Sequence, residues 1–102
     1  MTLFELLQTL NIPCAYSHFK DENAPKHPPY IVYLGAGQDD TAADNEYIYK
    51  RNRYQVEYYF TEKNEEQENA IEKLFVDNGY LYEKSEDVYI EDEGVFVIYY
   101  MM

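Results

Sequence analysis

Tyr54-Gln55-Val56-Glu57-Tyr58-Tyr59-Phe60-Thr61 is the stretch on which the fold turns. Tyr54, Val56, Tyr58 and Phe60 alternate with Gln55, Glu57 and Thr61, the period of a strand with one buried face. Just beyond it, Asn64 is placed to cap a helix, with Gln67 as its capping-box partner. Ala70, Ile71, Leu74 and Phe75 follow at helical spacing, and Gly79 supplies the left-handed residue that ends a helix. Tyr80-Leu81-Tyr82 then returns to an extended pattern. Together these segments predict a strand–helix–strand unit, the frame of a small domain that mixes sheet and helix. The unit dictates architecture and carries no chemistry.

Working outward, Thr2 and Glu5 form a second capping-box pattern, and Met1 is spaced to staple onto Leu6. Leu3, Leu6, Leu7 and Leu10 share one helical face, and Pro13 disfavours helical backbone at Ile12. The expected helix covers residues 2–11 and lies over a sheet. A strand is expected near 14–19, then an extended loop holding Pro25, Pro28 and Pro29. Tyr30-Ile31-Val32-Tyr33-Leu34 is an unbroken apolar run, as in a strand buried on both faces. Residues 35–46 are polar without period and read as a loop. Extended structure is expected again over 46–61, with a change of phase that a bulge or turn within residues 50–53 would explain.

The second helix is expected over 64–78 and a strand near 80–84. An acidic segment with a short apolar insert, Val88-Tyr89-Ile90, then leads to a final apolar strand near 95–101. The pattern predicts one α+β domain over residues 1–102. Its expected core is a mixed, mainly antiparallel sheet of four to five strands, with two helices packed on one face.

A chain of 102 residues buries roughly two-thirds of its unfolded surface. Twenty acidic residues against eight basic give a formal charge of −12. Nucleic-acid affinity comes from Lys and Arg neutralising phosphates, so this balance argues against nucleic-acid binding and against docking on anionic membranes. The aromatic content of 18% argues against disorder. A lone Cys14 makes no internal disulfide, in keeping with a reducing compartment. The sequence shows neither a run long enough to span a bilayer nor a signal-peptide pattern.

Enzyme signatures are thin. Gly35-Ala36-Gly37 follows a strand, but the third glycine of a dinucleotide loop and a Gly-Lys-Ser/Thr are both missing, and Asp39 and Asp40 would repel phosphate. A flexible turn is the plainer reading. Cys14, His18 and His27 lack the paired spacing of a zinc site, so a buried thiol and two surface histidines are expected. The acidic segments 39–46 and 87–93 do not follow the calcium-loop pattern. Glu65, Glu66, Glu68 and Glu72 read as a solvated helix face that complements the helix dipole. No catalytic, cofactor or metal residues are assigned.

Two strands that are apolar on both faces exceed what two helices on one side can shield. The thirteen tyrosines suit a contact surface, since Tyr offers area to a partner while its hydroxyl tolerates water. The plainer alternative is that tyrosine simply favours strands. Lys50, Arg51 and Arg53 are the one basic cluster, suited either to pairing with a neighbour's acidic loop or to an ordinary solvated strand end, and Asp39, Asp40 and Asp44 are acidic contact candidates. With Tyr47, Tyr49, Tyr99 and Tyr100 they make up the expected contact residues. A rival reading of the charge is an acidic mimic of DNA that blocks a host DNA-binding protein.

The order of pieces is also familiar. A Thr2-Leu3-Phe4 helix leads through Ile12-Pro13 to Tyr16-Ser17-His18-Phe19 and Pro28-Pro29-Tyr30-Ile31-Val32-Tyr33. Tyr54-Gln55-Val56-Glu57 runs into Thr61-Glu62-Lys63, and the chain reaches Val97-Ile98-Tyr99-Tyr100. This resembles, over nearly its whole length, the small tail-completion (tail-terminator or head–tail joining) proteins of long-tailed bacteriophages and Gram-positive prophages. The resemblance implies a non-enzymatic subunit without cofactors that forms a hexameric ring at the head-proximal end of the tail. Its partners would be further copies of itself, the tail-tube protein and a head-completion protein. Its setting would be the bacterial cytoplasm during assembly and then the virion. By the same resemblance, residues 35–46 and 85–94 would be loops that touch subunits or partners.

Overall fold

The computed structural model describes residues 1–43 and 47–102; the side chains of residue 23 and of residues 39–43 and 47–51 are not among the described parts. The elements in order are α1 (Leu3–Gln8), β1 (Cys14–Tyr16), β2 (Tyr30–Ala43), β3 (Tyr47–Phe60), α2 (Glu65–Asp77), β4 (Glu83–Lys84), β5 (Val88–Ile90) and β6 (Val95–Met101), with a single 3-10 turn at Asp21–Asn23. The fold is α+β. Its sheet has six strands in the order β1-β2-β3-β6-β4, with β5 also paired to β6. Among the described residues, β1–β2 is the one parallel pairing and the others are antiparallel. The sheet therefore has more strands than the four or five expected, because the short apolar insert at Val88–Ile90 pairs with β6 through a turn closed by Gly94 N–H on the Ile90 carbonyl.

The β3–α2–β4 unit is present, with an insertion the sequence did not announce. β3 and β4 are both antiparallel to β6, so they run parallel to each other with β6 between them. The hydrogen-bonded ladder therefore joins the chain's C-terminal strand to a strand more than 35 positions earlier. Residues 80–82 are not strand; pairing begins only at Glu83.

Both helix starts follow the capping chemistry. Thr2 Oγ1 accepts from Glu5 N–H at 3.2 Å, and Glu5 Oε1 accepts from Thr2 N–H at 2.9 Å. The carboxyl of Glu5 is held below its usual range by these bonds. Asn64 Oδ1 accepts from Gln67 N–H at 3.1 Å, so Asn64 caps α2, but the return bond from the Gln67 side chain that a capping box requires is not formed. The α2 exit is a Schellman motif: Gly79 takes φ +81°, Tyr80 N–H bonds the Phe75 carbonyl and Gly79 N–H bonds that of Val76. The expected hydrophobic staple does not form, since Met1 is 80% exposed. Nor does α1 reach residue 11; it ends at Gln8, and hydrogen-bonded turns carry the chain to Asn11, whose φ is +58°.

The helices cover one face of the sheet. Phe75 of α2 meets Tyr100 at 5.4 Å between ring centroids, and Phe4 of α1 lies 6.1 Å from Tyr33. Pairing puts Ile31, Val56, Tyr58, Phe60, Ile98 and Tyr100 on that same face. All six are buried, and with Leu3, Leu7, Ile71 and Phe75 they form the core. Burial of a side chain of this size stabilises by about 1.5–3 kcal/mol.

Candidate interaction surface

The segment expected to be a loop, residues 35–46, is in fact the far half of β2 as far as Ala43. Its small and acidic side chains carry no strand pattern, so its extended form comes from pairing with β3. The register runs Gln38 to Asn52, Asp39 to Arg51, Asp40 to Lys50, Thr41 to Tyr49, Ala42 to Ile48 and Ala43 to Tyr47. The expected bulge also lies elsewhere. Between the Gly35–Tyr54 and Gln38–Asn52 pairs, β2 has two residues where β3 has one, and Gly37 takes φ +95° there. Gly35-Ala36-Gly37 thus form an irregularity within a strand, neither a phosphate loop nor a turn. Gly35 N–H donates to Tyr16 Oη at 3.2 Å at this point.

Beyond this bulge the two strands leave the sheet. β1 pairs β2 only over residues 31–33, and β6 pairs β3 over residues 55–60, with Met102 closing on Tyr54. Residues 38–43 and 47–52 therefore form a two-stranded arm of roughly 20 Å. The chain measures 50 × 29 × 26 Å with a radius of gyration of 15.2 Å, against about 13 Å for a compact domain of this size. The register sets Asp39 and Asp40 on one strand across from Arg51 and Lys50 on the other; Arg53 stands at the base of the arm, opposite the bulge. Asp44 lies outside the described residues.

Among the described residues, no helix lies on the second sheet face. Val32, Val95 and Val97 are buried there, whereas Leu34, Tyr59, Tyr99 and Met101 are half-buried. Part of it is roofed by the chain itself. Phe19 stands edge-on to Tyr30 at 5.8 Å, and Tyr30 stacks on Tyr59 at 4.9 Å. In the middle sits Glu57, accepting from Tyr59 Oη at 2.6 Å and from Gln55 Nε2 at 2.7 Å. Burial, and then the bond to Glu57, push the Tyr59 hydroxyl well above the usual tyrosine range. The uncovered apolar area on this face is thus smaller than the sequence implies.

The two adjacent tyrosines expected as contacts part company. Tyr99 is half-buried on the open face, while Tyr100 belongs to the core and is fully buried. A partner cannot reach Tyr100. Its hydroxyl donates to Glu72 Oε2 at 2.8 Å, and burial followed by this bond raises it far above an ordinary tyrosine. Alternation along a strand separates neighbours in this way, but which parity faces inward depends on the partner strands.

A polar cluster lies where α2 crosses β4. Glu68, expected on a solvated face, is buried, with Lys84 Nζ 3.0 Å from its Oε1 and Lys63 Nζ 2.7 Å from its Oε2. Lys84 also pairs with Glu72 at 2.8 Å, and Lys63 with Asp87 at 3.0 Å. Burial alone would raise the Glu72 carboxyl, but Lys84 and Tyr100 outweigh it and hold the group below its ordinary 4.5. Desolvation alone would lower Lys84; its bonds to Glu72 and Glu68 instead hold it above the usual lysine range. The cluster locks α2 to the sheet edge. Its members are up to 24 positions apart, so sequence spacing carried no sign of it.

Cys14 is half-buried and its thiol is pushed up to about 11 by burial, so it is a poor nucleophile. It shares a hollow of about 580 Å³ with Phe4, Tyr16, His18 and Tyr33, and His27 is exposed elsewhere. Among the described residues no three His, Cys, Asp or Glu side chains come together as a metal site. Among them, too, no helix is long and apolar enough to cross a membrane. Comparison of the chain with protein-family models, curated proteins and solved structures found no match.

Proposed function

We propose that this chain is a non-enzymatic structural subunit of a bacteriophage or prophage tail, of the tail-completion or head–tail joining kind, and acts by assembling into a ring. The observation that carries this reading is the arm. An isolated two-stranded ribbon is at best marginally stable in water, so its strands gain most by lying against something else. The mixture of sheet and helix in the body agrees with the α/β subunit that the resemblance implies. The open face with Tyr99, Tyr59 and Leu34 offers a second surface to neighbours or to the tail-tube and head-completion proteins. A strongly acidic ring would keep a DNA channel non-adhesive, in the host cytoplasm during assembly and later in the virion.

The DNA-mimic alternative draws less support. Glu57, Glu68, Glu72 and Asp87 each bond within the molecule, so they do not form a free surface row of phosphate-like charges. Negative-stain microscopy of the concentrated protein, alone and with the tail-tube protein, tests the proposal. Closed rings are expected. A strict monomer that binds no tail tube at high concentration would contradict it.

A further inference from the structure

The structure assigns the two outer edges of the arm to each other: the β2 edge of one copy pairs, antiparallel, with the β3 edge of the next. This rests on the ring reading above and names the contact that would close the ring. Beyond the bulge, residues 38–43 of β2 have β3 on one side, and residues 47–52 of β3 have β2 on one side; the ladder to β1 stops at Tyr33 and that to β6 at the level of Tyr54. Each strand thus turns a row of backbone N–H and C=O groups outward, a template for another strand.

Charge decides which strand that is. The β2 edge reads Gln38-Asp39-Asp40-Thr41 and the β3 edge reads Tyr49-Lys50-Arg51-Asn52-Arg53, which holds both arginines of the chain. Pairing β2 to β2 would set Asp against Asp, and pairing β3 to β3 would set Lys and Arg against their like; like charges across strands are destabilising. Only β2 to β3 brings acid to base. Copies arranged side by side around an axis along the arm, each with β2 running one way and β3 the other, also present these two edges antiparallel. Such a contact is head-to-tail, so it propagates and closes into a ring when the rotation allows. If the register inside the hairpin repeats between copies, Asp39 and Asp40 have Arg51 and Lys50 on both sides. This would relieve the repulsion that a charge of −12 per copy sets up around the ring.

Cross-chain disulfides test the pairing without altering its charges. In a Cys14→Ser background, copies carrying only Gln38→Cys are mixed with copies carrying only Asn52→Cys, then oxidised and run on a denaturing gel. The pairs Thr41→Cys with Tyr49→Cys, and Ala43→Cys with Tyr47→Cys, probe the same register further along the arm, and crossing the variants, as in Gln38→Cys with Tyr49→Cys or Thr41→Cys with Asn52→Cys, samples other registers. A band at twice the 12.2 kDa monomer is expected in at least one mixture, at least tenfold stronger than in either variant oxidised alone. Equal bands from a single variant would mean symmetric pairing and overturn the assignment. Rings by microscopy without any mixed disulfide would overturn the edge pairing and leave the ring reading standing. Mixed disulfides without closed rings would do the reverse, and absence of both would remove the two together.

Discussion

The body of this protein and its arm are built on opposite principles. In the body, strands are apolar or aromatic, helices cover one face, and a chain of ring contacts from Tyr58 through Phe60 and Phe96 to Tyr89 ties the sheet across its width. In the arm, two strands of mostly polar and charged residues pair, among the described residues, with each other alone. The body contains its own reasons for folding. The arm does not, and under the proposed function stability and assembly would be housed in separate parts of one small chain.

The sharpest way to break this contrast is to damage the body. Phe75 is fully buried, touches Tyr82 and Tyr100, and offers its carbonyl to the helix stop. Phe75→Ala should cost about 3–5 kcal/mol, read as a lower urea midpoint with the slope unchanged; a loss below 1 kcal/mol would mean the body is not the stable unit. Glu68→Ala comes next. It removes the partner of two lysines, and because Lys63 is 43% exposed the loss should be about 2–3 kcal/mol, less than for a fully buried pair.

Stability against pH reports on the same cluster and on the Tyr59–Glu57 bond of the other face. Glu72 is lowered in the fold, so its contribution is present above its ordinary 4.5 and is lost as pH falls through the folded value. Tyr100 and Tyr59 are raised, so theirs is full below their ordinary 10.0 and is lost as pH climbs beyond it. Urea midpoints should therefore be level between about pH 5 and 9, with Glu72→Gln flattening the acid limb and Tyr100→Phe the alkaline one. Unchanged limbs in these variants would remove the cluster from the account. The smallest effect is at the edge of the body, where Thr2→Ala should lower stability by about 1 kcal/mol through loss of the cap.

Much of the body was legible because its signals are local. The cap at Thr2, the cap at Asn64, the stop at Gly79 and the alternation from Tyr54 to Phe60 each lie within a few residues and each formed. What failed was set by distant partners. β2 beyond Gly35 is extended because β3 lies alongside it, and β5 became a strand only through β6. Tyr100 turned inward because its neighbours on β3 and α2 fixed the parity. For the proposed contact residues, the charges at 39–40 and 50–53 were evident, but their placement across from one another depends on a register no short window contains.

Separation of body and arm is tested most directly by shortening the hairpin. Residues 36–53 are replaced by an Asn-Gly turn joining the paired residues Gly35 and Tyr54, a length suited to a tight hairpin. Urea unfolding and negative-stain microscopy are then run on the same preparation. The shortened chain should unfold cooperatively within about 1 kcal/mol of the parent and form no rings. Rings that persist without the arm, or a body that no longer folds, would contradict the account.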